Sequence, residues 1–93
     1  MAVAWQTRRV TLVANVALAI TPPSSASGVK IGNGTADDLR VYSDPNDDLT
    51  YFVIAAGFEK EMGDTNTYFR FDPYKIAFHL KALASGTAVL IWY

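Results

Sequence analysis

The sequence closes on Gly86-Thr87-Ala88-Val89-Leu90-Ile91-Trp92-Tyr93, and from Ala88 to Trp92 it holds no polar side chain. Successive side chains of a strand point to opposite faces, so Val89 and Ile91 would line one face and Ala88, Leu90 and Trp92 the other. A strand apolar on both faces needs cover on both. The domain's own core supplies one cover. The other has to be the rim of a facing sheet or a neighbouring subunit. Chain ends are ordinarily polar and frayed unless something ties them down, so this stretch limits the chain to folds that sandwich a strand between layers.

The rest of the chain reads as short strands punctuated by turns, the pattern of a sandwich or barrel. Residues 9–20 alternate, with Val10, Leu12, Ala14, Val16, Leu18 and Ile20 apolar, and predict the longest strand, stopped by Thr21-Pro22-Pro23. VKIGN and LRVYS (29–33 and 39–43) alternate in the same way, separated by the turn GTADD. TYFVIAA (50–56) is apolar on both faces and predicts a buried or interface strand. FEKEM (58–62) fits a strand or one helical turn. YFRFDP and IAFHLKAL (68–73 and 76–83) alternate again, with Ile76, Phe78 and Leu80 inward and His79 and Lys81 outward. Ser85-Gly86 predicts a tight turn joining the last two strands as a hairpin. The expected fold is all-β: a small antiparallel β-sandwich or jelly-roll-like barrel of about seven or eight strands.

Ninety-three residues make one domain, 1–93, with residues 1–8 as a candidate N-terminal arm. A chain of this size hides only about 60–65% of its unfolded surface. Yet 51% of its residues are hydrophobic and 18% charged, against about 25% charged in an ordinary globular chain. The excess apolar surface is most simply absorbed by association with copies of itself or with a larger partner. A net charge of −1, with no basic cluster beyond Arg8-Arg9, argues against nucleic-acid binding. Cysteine is absent, which removes disulfides and thiolate-bound metal. No stretch reaches the ~18 apolar residues of a membrane-spanning helix. MAVAWQTRR followed by VTLVANVALAI has the lengths of a secretory leader, but its two-residue period is that of a strand.

The chemistry for catalysis is sparse. The single histidine, His79, lies in a predicted strand without a nucleophile and orienting acid in the same pattern. Asp44, Asp47, Asp48, Glu59, Glu61 and Asp64 fall in turns or on charged faces, where solvated carboxylates are the rule. Asp44, Asn46 and Asp48 imitate the opening of a calcium loop, but Leu49 and Ala55 stand where that loop needs Gly and a bidentate Glu. IGNGTADD (31–38) lacks the lysine and helix of a phosphate-binding loop, and its glycines predict turn geometry with positive φ. The expectation is a non-enzymatic protein with no cofactor and no metal site. Among the aromatic residues, Trp5, Tyr42, Tyr51, Trp92 and Tyr93 are the candidate interface anchors, since such side chains are enriched where proteins meet.

The phrases Ile31 and Asn33, Val41 and Tyr42, Ile54-Ala55-Ala56-Gly57, and Ala84 through Ala88 occur in an order that resembles small all-β bacteriophage virion proteins. The likeness spans roughly residues 8–92. It implies a structural component of a phage particle, either a capsid decoration (cement) subunit or a head-fibre base, and it carries no catalytic residues. The implied partners are further copies of the chain, as in a trimer, and the major capsid or another virion protein, with no nucleic acid and no membrane. The implied location is the virion, assembled in the host cytoplasm. The alternative is a small glycan- or receptor-binding β module of a phage tail or fibre, with a row of exposed aromatics as the sugar platform.

Overall fold

In a computed structural model, residues 6–23, 28–42, 51–63 and 78–93 are described. They form eight strands: β1 Gln6–Leu12, β2 Leu18–Ile20, β3 Gly28–Asn33, β4 Leu39–Tyr42, β5 Phe52–Ile54, β6 Glu59–Gly63, β7 Phe78–Ala82 and β8 Gly86–Trp92. Two four-stranded sheets result, ordered β1-β8-β3-β6 and β2-β7-β4-β5. The all-β sandwich expected from the sequence is the observed architecture.

The pairing has a simple logic. β1 pairs with β8, β2 with β7, β3 with β6 and β4 with β5, all antiparallel. The chain therefore folds back on itself at the β4–β5 connection to make a long two-stranded ribbon. That ribbon then rolls up, so that β8 gains β3 as a second neighbour and β7 gains β4. A rolled antiparallel ribbon of eight strands is the jelly-roll arrangement.

The inner faces meet in one core. Val10, Leu12, Val29, Ile31, Ala88, Leu90 and Trp92 come from one sheet, and Ile20, Leu39, Val41, Ile54, Phe78, Leu80 and Ala82 from the other. A fully buried Leu or Ile contributes about 1.5–3 kcal/mol over its exposed state. This alternating set is what holds the two layers together.

Several expectations are corrected. Residues 9–20 are not one strand: β1 ends at Leu12, the chain turns at Ala14-Asn15, and β2 enters the opposite sheet. Asn15 takes a left-handed backbone (φ 63°) there, a conformation that asparagine tolerates better than most residues. The last two strands are not a hairpin, because β7 and β8 lie in different sheets. Their connection bonds to other loops: the Leu83 N–H donates to the Asp38 carbonyl (3.0 Å), and Ser85 Oγ accepts from the Ala14 N–H (3.0 Å). The 50–56 segment is not a fully buried strand but contributes the short β5, which ends one sheet and leaves Val53 exposed. FEKEM resolves as a strand from Glu59 onward, β6, with Phe58 left in the preceding loop.

The glycines of IGNG do not supply positive φ either. Gly32 is part of β3, and Gly34 permits a close approach, its N–H donating to the Thr87 carbonyl at 2.9 Å. A Cβ on Gly34 would lie 2.5 Å from that carbonyl oxygen. Positive φ belongs to Gly57 instead (81°). The acidic DPNDD turn with its calcium-like Asp44, Asn46 and Asp48, the YFRFDP segment and Ile76 lie outside the described residues.

Candidate functional site

The β1–β2, β3–β4, β5–β6 and β7–β8 loops all emerge at one end of the sandwich. The pairings place the strand ends side by side: Leu12 opposite Gly86, Leu39 opposite both Ile54 and Ala82, Leu18 opposite Leu80, and Gly32 opposite Glu59. The loops are bonded to one another. The Asn15 N–H donates to the Ala82 carbonyl (2.7 Å), the Gly57 N–H to the Asn33 carbonyl (2.9 Å), and the Asn33 N–H to the Phe58 carbonyl (2.9 Å).

Asn33 organises this end. It is buried, and its side chain is fully used: Nδ2 donates to the carbonyls of Asp37 (2.7 Å) and Ile54 (2.8 Å). Its Oδ1 accepts from the Thr35 N–H (2.9 Å) and the Thr35 hydroxyl (2.7 Å). An asparagine offers two donors and two acceptor sites, and here all four are matched. The β3–β4 loop is thereby locked to the end of β5, and the β5–β6 turn to the end of β3.

That rigid frame presents an apolar tip. The four loops read VANVA (13–17), GTADD (34–38), AAGF (55–58) and LAS (83–85), with Asp37 and Asp38 as their only charges. The large apolar side chains most exposed among the described residues are here: Phe58 at 68%, Val13 at 58% and Val16 at 54%. Beside Phe58, on the outer face of the β1-β8-β3-β6 sheet, lies an open depression of about 490 Å³. It exists because Gly32, which stands opposite Val89, has no side chain to fill it; Gly34, Gly57, Phe58 and Glu59 complete its walls. A protruding phenyl ring next to an apolar recess is suited to gripping another protein surface.

The anchors read from the sequence are dispersed. Trp5 lies outside the described residues. Trp92 is 3% exposed and packs in the core against Phe78, so its ring is not offered to a partner, a correction to its reading as an anchor. Tyr42 and Tyr51 are brought together on the outer face of the other sheet, ring centroids 5.1 Å apart, but Tyr42 is buried and only the edge of the pair reaches solvent through Tyr51. The Arg40 guanidinium sits 4.7 Å from the Tyr51 ring centre, and its pKa is raised, chiefly by a hydrogen bond with the Tyr42 side chain. Tyr93 is half-buried beside Gly28, and its hydroxyl donates to Glu61 Oε2 (3.0 Å). Burial first, then that bond, raises the Tyr93 phenol above its usual range. His79 is half-buried on β7, opposite Ala19 and Tyr42.

The outer face of β8 explains the apolar ending. Val89 and Ile91 are half-buried among Thr7, Arg9, Lys30 and Gly32 of the flanking strands. Long basic side chains cover apolar surface with their stems while their charges stay in water. Val13, Val16 and Phe58 are not singled out by the sequence pattern, in which Val16 is one of the apolar even positions of a continuous strand and Phe58 opens a segment that fits a strand or a helical turn. The Val13-Ala14-Asn15-Val16 turn, with an asparagine at its centre, was the available signal.

No family model matches the chain, and no curated protein or solved structure matches it.

Proposed function

We propose that this chain is a non-enzymatic virion structural protein of a bacteriophage, a capsid decoration subunit that docks its apolar tip on the capsid lattice. The observation that carries the reading is the tip itself. Phe58, Val13 and Val16 project from loops with almost no charge; Asn33 holds the loop of Phe58, and bonds from Ala14 to Ser85 and from Asn15 to Ala82 hold that of Val13 and Val16. Apolar side chains held in place lose little conformational entropy on binding, so burying them contributes affinity at low cost. The jelly roll supports the reading at the level of analogy alone, since the same arrangement serves in viral capsids, lectins and cupins. Contacts added across subunit boundaries would stabilise the assembled shell by mass action.

Mass spectrometry of purified virions, with co-sedimentation of the isolated protein on undecorated capsids, tests this. Stoichiometric presence in particles and saturable binding that Phe58→Asp abolishes are the expected results. Absence from particles overturns it. A glycan-binding module is the second reading, favoured by Tyr51 and Arg40 on an exposed edge. Glycan-array binding lost in Tyr51→Ala and kept in Phe58→Asp would replace the first reading with the second.

A further inference from the structure

The β1-β8-β3-β6 sheet ends in two strands that have no neighbour on their far side among the described residues: β1, seven residues long, and β6, five. The outer strands of the other sheet, β2 and β5, have three residues each, too few for a useful ladder. Unpaired N–H and C=O groups along an edge are a template for another strand. The order β1-β8-β3-β6 is antiparallel throughout, so β1 and β6 run in opposite directions. Set β6 of one copy beside β1 of the next, and the alternation continues without a break.

Charge selects among the possible edge pairings. On β1, Arg8 and Arg9 are exposed, and neither has an ion-pair partner among the described residues. On β6, the carboxylates of Glu59 and Glu61 flank Lys60, and both also lie against Lys30 of β3 (3.6 and 4.0 Å). A symmetric β1–β1 pairing would bring the arginines of two copies together. A symmetric β6–β6 pairing would do the same to the glutamates and lysines. Like charges opposite one another are destabilising, whereas β1 against β6 joins opposite signs.

The faces agree as well. Arg9 is level with Val89, and Glu61 is level with Ile91 through Lys30, so both project from the outer face of the same sheet. Register follows from the remaining charges. Arg9 opposite Glu59 would set Arg8 against Lys60. Arg9 opposite Glu61 sets Arg8 against Met62, Val10 against Lys60 and Thr11 against Glu59, with no like pair.

We propose that copies of this chain associate head to tail by adding β1 of one to β6 of the next, with Arg9 opposite Glu61. This rests on the assembly reading above and names its edges. Unlike patches meeting in sequence make a heterologous contact, which closes into a ring where the rotation permits.

The chain has no cysteine, which allows a clean test. Thr11→Cys with Glu59→Cys places the two thiols opposite one another between copies. Within one copy β8 and β3 separate them, on the order of 14 Å at sheet spacing, beyond disulfide reach. Oxidation of the double variant is expected to give covalent rings or ladders of several copies on a non-reducing gel, while each single variant stops at dimers. Native mass spectrometry supplies the second arm. R9E and E61R are each expected to weaken association by about tenfold, and R9E/E61R to restore it.

A folded double-cysteine variant that stays monomeric on oxidation overturns the proposal. So does a charge-swapped variant that associates no better than its single parents, because the edge charges would then be guards against pairing. The outcome is separable from the proposed function. A monomer that still binds capsids through Phe58 sinks the edge pairing alone, and an edge-linked oligomer that ignores capsids sinks the capsid reading alone.

Discussion

Trp92 on β8 and Phe78 on β7 meet across the sandwich, their ring centroids 6.1 Å apart and their planes inclined at 54°. The two strands are consecutive in sequence yet belong to opposite sheets, so this pair bridges the layers. A tilted aromatic pair of this kind adds about 0.5–1.5 kcal/mol beyond the burial of its surface. It also shows where the apolar last strand finds its first cover: inside the same molecule. Truncating Trp92→Ala is expected to cost about 3–5 kcal/mol. Urea unfolding with near-ultraviolet dichroism measures this; a loss below about 1 kcal/mol would contradict the core assignment.

Asn33 has the second large effect. Asn33→Ala strips a partner from the Ile54 carbonyl and from the Thr35 N–H, while the Thr35 hydroxyl still donates to the Asp37 carbonyl (2.9 Å). Buried polar groups left unpaired cost about 1–3 kcal/mol each, less where water can enter, so about 3 kcal/mol is expected in total. Thr35→Val, which removes the hydroxyl but keeps the shape, should cost clearly less. Hydrogen exchange at Gly57, whose N–H donates to the Asn33 carbonyl, should quicken in the alanine variant more than at Val41 in the core.

At the tip the expectation reverses. Phe58 is largely exposed, so Phe58→Asp should shift stability by no more than about 0.5 kcal/mol. Its capsid binding should nevertheless fall below detection. Equal losses of folding and binding would show that the ring is structural after all.

Two glycines of this end separate crowding from backbone conformation. Gly34→Ala drives a methyl group to 2.5 Å from the Thr87 oxygen and strains the bond that carries β3 alongside β8, which predicts about 1–3 kcal/mol. Gly57→Ala meets nothing within 4 Å, but φ of 81° still disfavours a side chain, predicting about 1 kcal/mol. Thermal melts of the two variants should rank them in that order.

The Tyr93 phenol, held protonated by burial and by its bond to Glu61, makes stability sensitive to alkali. Its folded pKa lies above the unfolded value of about 10. The stabilisation is therefore complete below about pH 10 and is lost as pH rises through the higher folded value. Tyr93→Phe should narrow the gap in urea midpoint between neutral and strongly alkaline solution. An unchanged gap would show that the phenol titrates without effect on folding.

Much of this structure is legible in the residues alone. The inward set Val10, Leu12, Ile31, Val41, Phe78, Leu80, Leu90 follows from two-residue alternation, which is a local consequence of strand geometry. The absence of any helical period left an all-β fold as the consistent outcome. The parity of Val89 and Ile91 against Ala88, Leu90 and Trp92 is correct for the same reason. What alternation cannot encode is the partner. The even-numbered apolar series from Val10 to Ile20 runs unbroken through the turn at Asn15, so a strand that changes sheets looks like one that does not. Likewise Leu83-Ala84-Ser85 is short enough for a hairpin and became a crossover between layers.

The strand character of the chain, its inward and outward faces and its excess of apolar residues were determined by the sequence itself, because each depends on neighbours one or two positions away. The tertiary structure alone decided which strands pair, that Trp92 is sealed in the core, and that Val13, Val16 and Phe58 are exposed at the same end of the sandwich. Those outcomes depend on contacts between residues far apart in the chain. They were settled by the packing of two sheets and by the bonds that Asn33 makes to the β3–β4 and β5–β6 loops.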